Sequence, residues 1–183
     1  MPFRALLDAC VLVPAALRDT LLRAGEAYLY QPLWTELILA QTERTLVNTL
    51  GISAPDAADL TAAIREAFPD AVVTGFEDLI PAMTVDPDDR HAAAAAIVGH
   101  AQVIVTLNTK HFPQHSLATY HVDVQSPDAF LTHLFTLDPE AMAQIIRNQA
   151  ADLQSPPMAP AQVCDALRAT VPGFVALVRP LIS

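Results

Sequence analysis

The chain has 183 residues, 52% hydrophobic and 16% charged; that suits one domain with a sizeable core plus a small appendage and excludes a disordered chain. No window of about 18 residues is apolar and free of charge, and the opening Met-Pro-Phe-Arg4 turns acidic at Asp8 too soon for a signal peptide, so a soluble, cytoplasmic protein is expected. The net charge is −10, with 16 acids against 7 bases in residues 1–130, which excludes passive nucleic-acid binding through a basic surface; either carboxylates are grouped around a divalent cation that inverts the local field, or the domain does not touch nucleic acid.

Residues 3–7, Phe-Arg-Ala-Leu-Leu, form an apolar run that stops at Asp8 and predict a buried strand. A second short strand is predicted over 27–31, ending at Pro32. Apolar residues at 34, 37, 38, 46, 47 and 50 suit a helix over 34–50, and Ser53-Ala-Pro55-Asp56 opens another with Ser as its cap. Val72-Val73 suggests a short strand. Asp88 and Asp89 precede Arg90-His91 and the run Ala92 to Ala96, an alanine-rich helix of high propensity ending near Gly99. Val103-Ile-Val-Thr106 is the clearest strand. A last strand over 121–124 leads to Ser126-Pro127-Asp128, which starts a helix through Phe135.

Strands alternating with helices predict a central parallel sheet covered on both faces, with any ligand site beyond the C-terminal strand ends. Asp8 and the segment Thr106 to Asn108 lie at such ends. Beyond residue 137 the β signal vanishes. Asp138-Pro139-Glu140 starts a helix with Met142, Ile145, Ile146 and Leu153 at helical spacing, Ser155 to Pro160 breaks it, and Val163, Leu167, Phe174, Leu177 and Val178 follow. A two- or three-helix appendage is expected, giving domains over 1–130 and 131–183.

Three groups could carry chemistry. Asp8, pinned between apolar residues, either caps the next helix or is paired with a cation. Asp86-Pro-Asp88-Asp89-Arg-His91 places three acids within four residues, which suits either a divalent ion or an acidic helix start. Val105-Thr106-Leu-Asn108-Thr-Lys110-His111-Phe-Pro113 runs from a strand into a polar turn. Cys10 and Cys164 share no metal-site or disulfide spacing and read as reduced thiols, Trp34 reads as a packing residue, and Arg18, Arg44, Arg90 and Lys110 are the bases available for phosphate contact. No HExxH, GxxxxGK or GxGxxG occurs.

In order and spacing, Leu-Asp8-Ala-Cys-Val-Leu-Val-Pro, Trp34-Thr-Glu-Leu-Ile-Leu-Ala-Gln41, Asp86-Pro-Asp-Asp-Arg-His91 and Val103-Ile-Val-Thr106-x-Asn108-x-x-His111-Phe-Pro113 resemble the PIN-domain family, and more closely the ribonuclease toxins of VapBC-type toxin–antitoxin pairs that carry a helical C-terminal extension. The resemblance implies a three-layer α/β/α domain with a small acidic pocket holding Mg²⁺ or Mn²⁺ for hydrolysis of RNA. Asp8 and Asp89 match the metal acids, Asn108 a position held by Asp or Asn, and Thr106 would orient that turn. A cognate antitoxin and a homodimer are implied as partners. Two positions depart from the family pattern. Gln41 stands where a Glu is usual, and Glu36, about 140° around the helix, is an imperfect substitute, as is Glu43. His111 stands where an Asp is common. The alternative function is a PIN-fold binding module whose eroded pocket no longer cuts.

Overall fold

A computed structural model describes residues 3–182. The strands β1 (Arg4–Leu7), β2 (Gln31–Leu33), β3 (Val103–Val105) and β4 (Asp123–Gln125) form one parallel sheet in the order β2-β1-β3-β4. Ala5, Leu6 and Leu7 all have zero exposure. Since alternate side chains point to opposite faces, both faces of the sheet must be covered. Leu7 lies opposite Val105, so the two central strands end level, and Asp8 and Thr106 leave the sheet side by side.

Helices α1 (Ala9–Leu12) and α2 (Ala15–Glu26) join β1 to β2, and α3 (Glu36–Asn48), α4 (Ala54–Ala67) and α5 (Arg90–Val98) join β2 to β3. A one-turn helix α6 (Gln114–Leu117) precedes β4. The starts of α3 and α4 are set by Thr35 and Ser53, whose hydroxyls accept from the amides of Ile38 and Asp56. In α5, Ala92 to Ala96 are all fully buried, and their small side chains let the helix lie close against β1 and β3. Its C-cap Gly99 answers to the same crowding, because a Cβ there would stand 2.8 Å from Val73 Cγ2.

The C-terminal region folds as α7 (Pro127–Leu137), α8 (Pro139–Asp152), α9 (Pro160–Leu167) and α10 (Pro172–Ile182), so the architecture is a three-layer α/β/α domain with a helical extension. The extension is fastened by buried polar contacts as well as by apolar packing. Gln149 on α8 accepts from the Thr20 hydroxyl at 2.8 Å and donates to the Ala16 carbonyl at 3.0 Å on α2. Asp128 on α7 accepts from the amides of Gly173 and Phe174 and so caps α10. Position 173 is glycine for a local reason: a Cβ would sit 2.9 Å from the Asp128 carboxylate.

Several element boundaries differ from expectation. The second strand is not 27–31 but Gln31–Leu33: Tyr28 takes φ 58° and is 83% exposed, and pairing begins only where the Gln31 amide donates to the Phe3 carbonyl. Pro32 is tolerated because β2 is an edge strand. Val72 forms a single bridge with Trp34 rather than a strand. The last strand begins at Asp123, since His121 is left-handed at φ 56°. The helix expected over 34–50 spans 36–48; Trp34 is fully buried and packs edge-on against Phe68.

Candidate active site

Asp8, Gln41, Asp89 and Asn108 line one cleft of about 430 Å³ beyond the C-terminal ends of β1 and β3, together with Cys10 and Arg44. A larger cleft of about 490 Å³, bordered by Glu26, Tyr28, Pro32, Phe68 and Asp70, also holds two carboxylates, but it lies beside the start of β2 and not beyond the strand ends. The smaller cleft is where the chemistry gathers.

Asp8 is 5% exposed, and both of its carboxylate oxygens are held. Oδ1 accepts from the Ala9 amide at 2.8 Å, so Asp8 does cap α1. Oδ2 accepts from the Thr106 hydroxyl at 2.7 Å and from the Cys10 thiol at 3.2 Å. The Thr106 hydroxyl in turn accepts from the Asn108 amide at 3.0 Å. One buried hydroxyl therefore ties the turn after β3 to the carboxylate after β1. Burial first, and then the negative charge of Asp8, push the Cys10 thiol up to about 12, so Cys10 acts as a neutral donor and not as a nucleophile.

Asp89 precedes α5, with a side chain 15% exposed. Desolvation raises its carboxyl above the ordinary carboxylate range; a hydrogen bond from His111 opposes this, and the charges of Asp8 and Asp86 add to it. Asp8 and Asp89 thus face one another as like charges across a partly dry cleft. His111 Nδ1 lies 2.8 Å from Asp89 Oδ2. Single donor atoms of Asp86, Asp89 and His111 all lie within 4.8 Å of one another, and the Asp86 amide donates to the His111 carbonyl at 3.0 Å.

Gln41, on α3, lies with its amide nitrogen 3.2 Å from His91 Nε2. His91 is 8% exposed, and burial holds its imidazole below the ordinary value against the pull of Asp8 and Asp89. A neutral imidazole can accept the amide N–H, and among the described residues no donor meets the side-chain oxygen of Gln41. Neither neighbouring acid replaces the missing charge. Glu36 pairs with Arg65 at 2.8 Å and Glu43 accepts from Thr61, so both are turned to α4.

The donor set suits a hard divalent cation: two carboxylates line one cleft, Asp8 raising the cost of charge on Asp89, with amide groups beside them. Of the bases expected near phosphate, Arg18 is consumed by the carbonyls of Leu12 and Val13 at the end of α1. Arg44 is exposed on the rim of the cleft, and Lys110 is exposed in the turn after Asn108. Cys10 and His91 are the contacts that the sequence signals least. The Asp8-x-Cys10 spacing is the hint for Cys10, and the place of His91 two residues after Asp89 is the hint for His91.

Residues 4–110 match the PIN domain family, and residues 127–180 match the VapC50 C-terminal domain. A Mycobacterium tuberculosis protein named "Putative ribonuclease VapC50" is 40% identical over 111 residues, covering 61% of this chain and 66% of that relative, just under two thirds of its length. No solved structure matches the chain. The parallel sheet, the acids at its strand ends and a family match over more than half the chain agree: the chain belongs to the PIN-domain family and carries a C-terminal extension similar to that of VapC50.

Proposed function

We propose that the chain is a metal-dependent endoribonuclease of the toxin kind that hydrolyses RNA phosphodiester bonds and is neutralised by a cognate antitoxin. The observation that carries this reading is the convergence of Asp8 and Asp89, far apart in sequence, on one cleft at the strand ends. The relative's name supplies the ribonuclease class. Asp8 and Asp89 would hold Mg²⁺ or Mn²⁺, with Gln41 and Asn108 offering neutral oxygens. When bound, such an ion makes water acidic enough to attack at neutral pH and offsets charge gathering on the phosphate.

The chain's own residues supply the rest. Thr106 and the Ala9 amide fix the Asp8 carboxylate before substrate arrives, so no reorganisation is needed at that group. Arg44 is placed to meet a phosphate on the cleft rim. The antitoxin would act by laying a cationic side chain across the two carboxylates. Action in the cytoplasm, a homodimer and the division into a nuclease domain over 1–130 and an extension over 131–183 belong to the same proposal.

The test is cleavage of a mixed RNA pool by the full chain in Mg²⁺ or Mn²⁺, set beside Asp8→Asn and Asp89→Asn. Loss of cleavage in both variants, with folding retained, is expected. Activity that survives both substitutions, or that persists in excess EDTA, refutes the reading. A second reading has its own support: with Gln41 neutral and Glu36 and Glu43 engaged elsewhere, the pocket has only two firm acids, as a binding module with an eroded site would. Absence of any divalent-cation binding favours that module.

A further inference from the structure

We propose that His111 makes the cation site of this chain select a nitrogen-tolerant transition ion over Mg²⁺, with Asp86, Asp89 and His111 forming a mixed oxygen and nitrogen donor set on the α5 side of the cleft. The inference rests on the reading of the cleft as a metal site and goes on to say which ion it prefers and which residue decides it.

Three observations support it. The donor atoms of the three residues already lie within 4.8 Å of one another, a span that a single ion can bridge. The arrangement is built by backbone as well as by side chains: the Asp86 amide donates to the His111 carbonyl, and the His111 amide donates to the Asn108 carbonyl at 2.9 Å. The backbone of His111 is therefore held in a short 3-10 turn, Thr109–His111, while its exposed imidazole is tied to Asp89. Finally, the imidazole reaches Asp89 with Nδ1, and Asp89 also borders the Asp8 cleft. An ion bound between Asp89 and His111 would sit where the two groups of donors meet.

Mg²⁺ demands oxygen ligands and octahedral geometry, whereas affinity for a site with imidazole rises along the first transition row, from Mn²⁺ through Co²⁺ to Ni²⁺. A donor set with one imidazole and two carboxylates therefore penalises Mg²⁺ more than it penalises Co²⁺.

The experiment is calorimetric titration of the full chain, stripped with EDTA, with CoCl₂ and with MgCl₂, for wild type, His111→Asp, His111→Ala and Asp86→Asn. Pulsed EPR of the Mn²⁺-loaded protein is added to detect nitrogen next to the ion. The expected preference of wild type for Co²⁺ over Mg²⁺ is about tenfold or more, narrowing by about tenfold in His111→Asp and in His111→Ala. Asp86→Asn should weaken both ions and leave the ratio nearly unchanged. A directly bound nitrogen in the Mn²⁺ spectrum that vanishes in both His111 variants supports the assignment independently of affinity. Binding with an unchanged ratio in both His111 variants, or without nitrogen coupling, overturns this inference and leaves the nuclease reading standing. Failure of every ion to bind overturns both.

Discussion

Thr106→Val isolates the contact that organises the cleft. Valine keeps the shape of threonine but removes the hydroxyl that donates to Asp8 Oδ2 at 2.7 Å and accepts from the Asn108 amide at 3.0 Å. Thr106 is fully buried, so water cannot replace the first bond. A hydrogen bond to a charged group contributes about 1.5–3 kcal/mol; the Cys10 thiol remains on the same oxygen, which places the loss near the middle of that range. Asn108 is exposed, and its amide regains water at a cost of about 0.5 kcal/mol. The expected destabilisation is about 2.5–3 kcal/mol, or roughly 5–12 °C in Tm for a chain of this size. Thr106→Ser is the control. It keeps both hydrogen bonds and loses one buried methyl, about 1 kcal/mol with its small cavity. Thermal unfolding of the three proteins in EDTA should therefore rank threonine above serine above valine. A valine variant as stable as the serine variant refutes the role given to this hydroxyl.

Gln41→Glu restores a third carboxylate beside Asp8 and Asp89; divalent-ion affinity should rise about tenfold by titration, while the metal-free protein loses about 1 kcal/mol to like-charge repulsion. Asp89→Asn should abolish the stabilisation that added Mn²⁺ gives to wild type, yet leave the metal-free protein at least as stable at pH 7. The sign follows from the raised carboxyl: its ionisation opposes folding, the penalty grows as pH rises through the folded value, and the gap between the proteins should close as pH falls towards the carboxylate range. A metal-free variant clearly less stable than wild type at pH 7 contradicts this. Gly99→Ala drives a Cβ to 2.8 Å from Val73 Cγ2 and 3.0 Å from the Ala95 carbonyl, and should cost about 1–3 kcal/mol in a denaturant melt. Cys10, held up to about 12, is four pH units from ionising at pH 8, and Cys164 is raised by burial. Both thiols should resist iodoacetamide in the native protein and react in guanidinium; rapid native labelling of Cys10 counts against its placement beside Asp8.

The parts of the fold legible in the sequence were those where one rule acts alone. Arg4–Leu7 and Val103–Val105 are central strands, buried on both faces, and so read as unbroken apolar runs. Ser53 and Ser126 announce their helices because the caps are local. Ala27 to Tyr30 misled because alternating aromatic and aliphatic residues imitate a strand, whereas Tyr30 is buried for packing against Phe130 and the chain turns at Tyr28. The bridge at Val72 depends on where Trp34 lies, which no local pattern encodes. In the cleft, Asp8 and Asn108 could be placed because both follow strands. The turning of Glu36 and Glu43 to Arg65 and Thr61 could not, since it depends on how α3 meets α4.

Asp8 serves two masters. The same carboxylate that lines the cleft also closes the first turn of α1 and anchors the hydroxyl after β3. Selection for folding alone would therefore keep an aspartate at this position in a lineage that had stopped cutting anything, while Gln41, Asn108 and His111 were free to drift. Among relatives of this chain, retention of the first aspartate is thus a weak guide to whether a protein is a nuclease, and the groups less burdened with structure are the ones to compare.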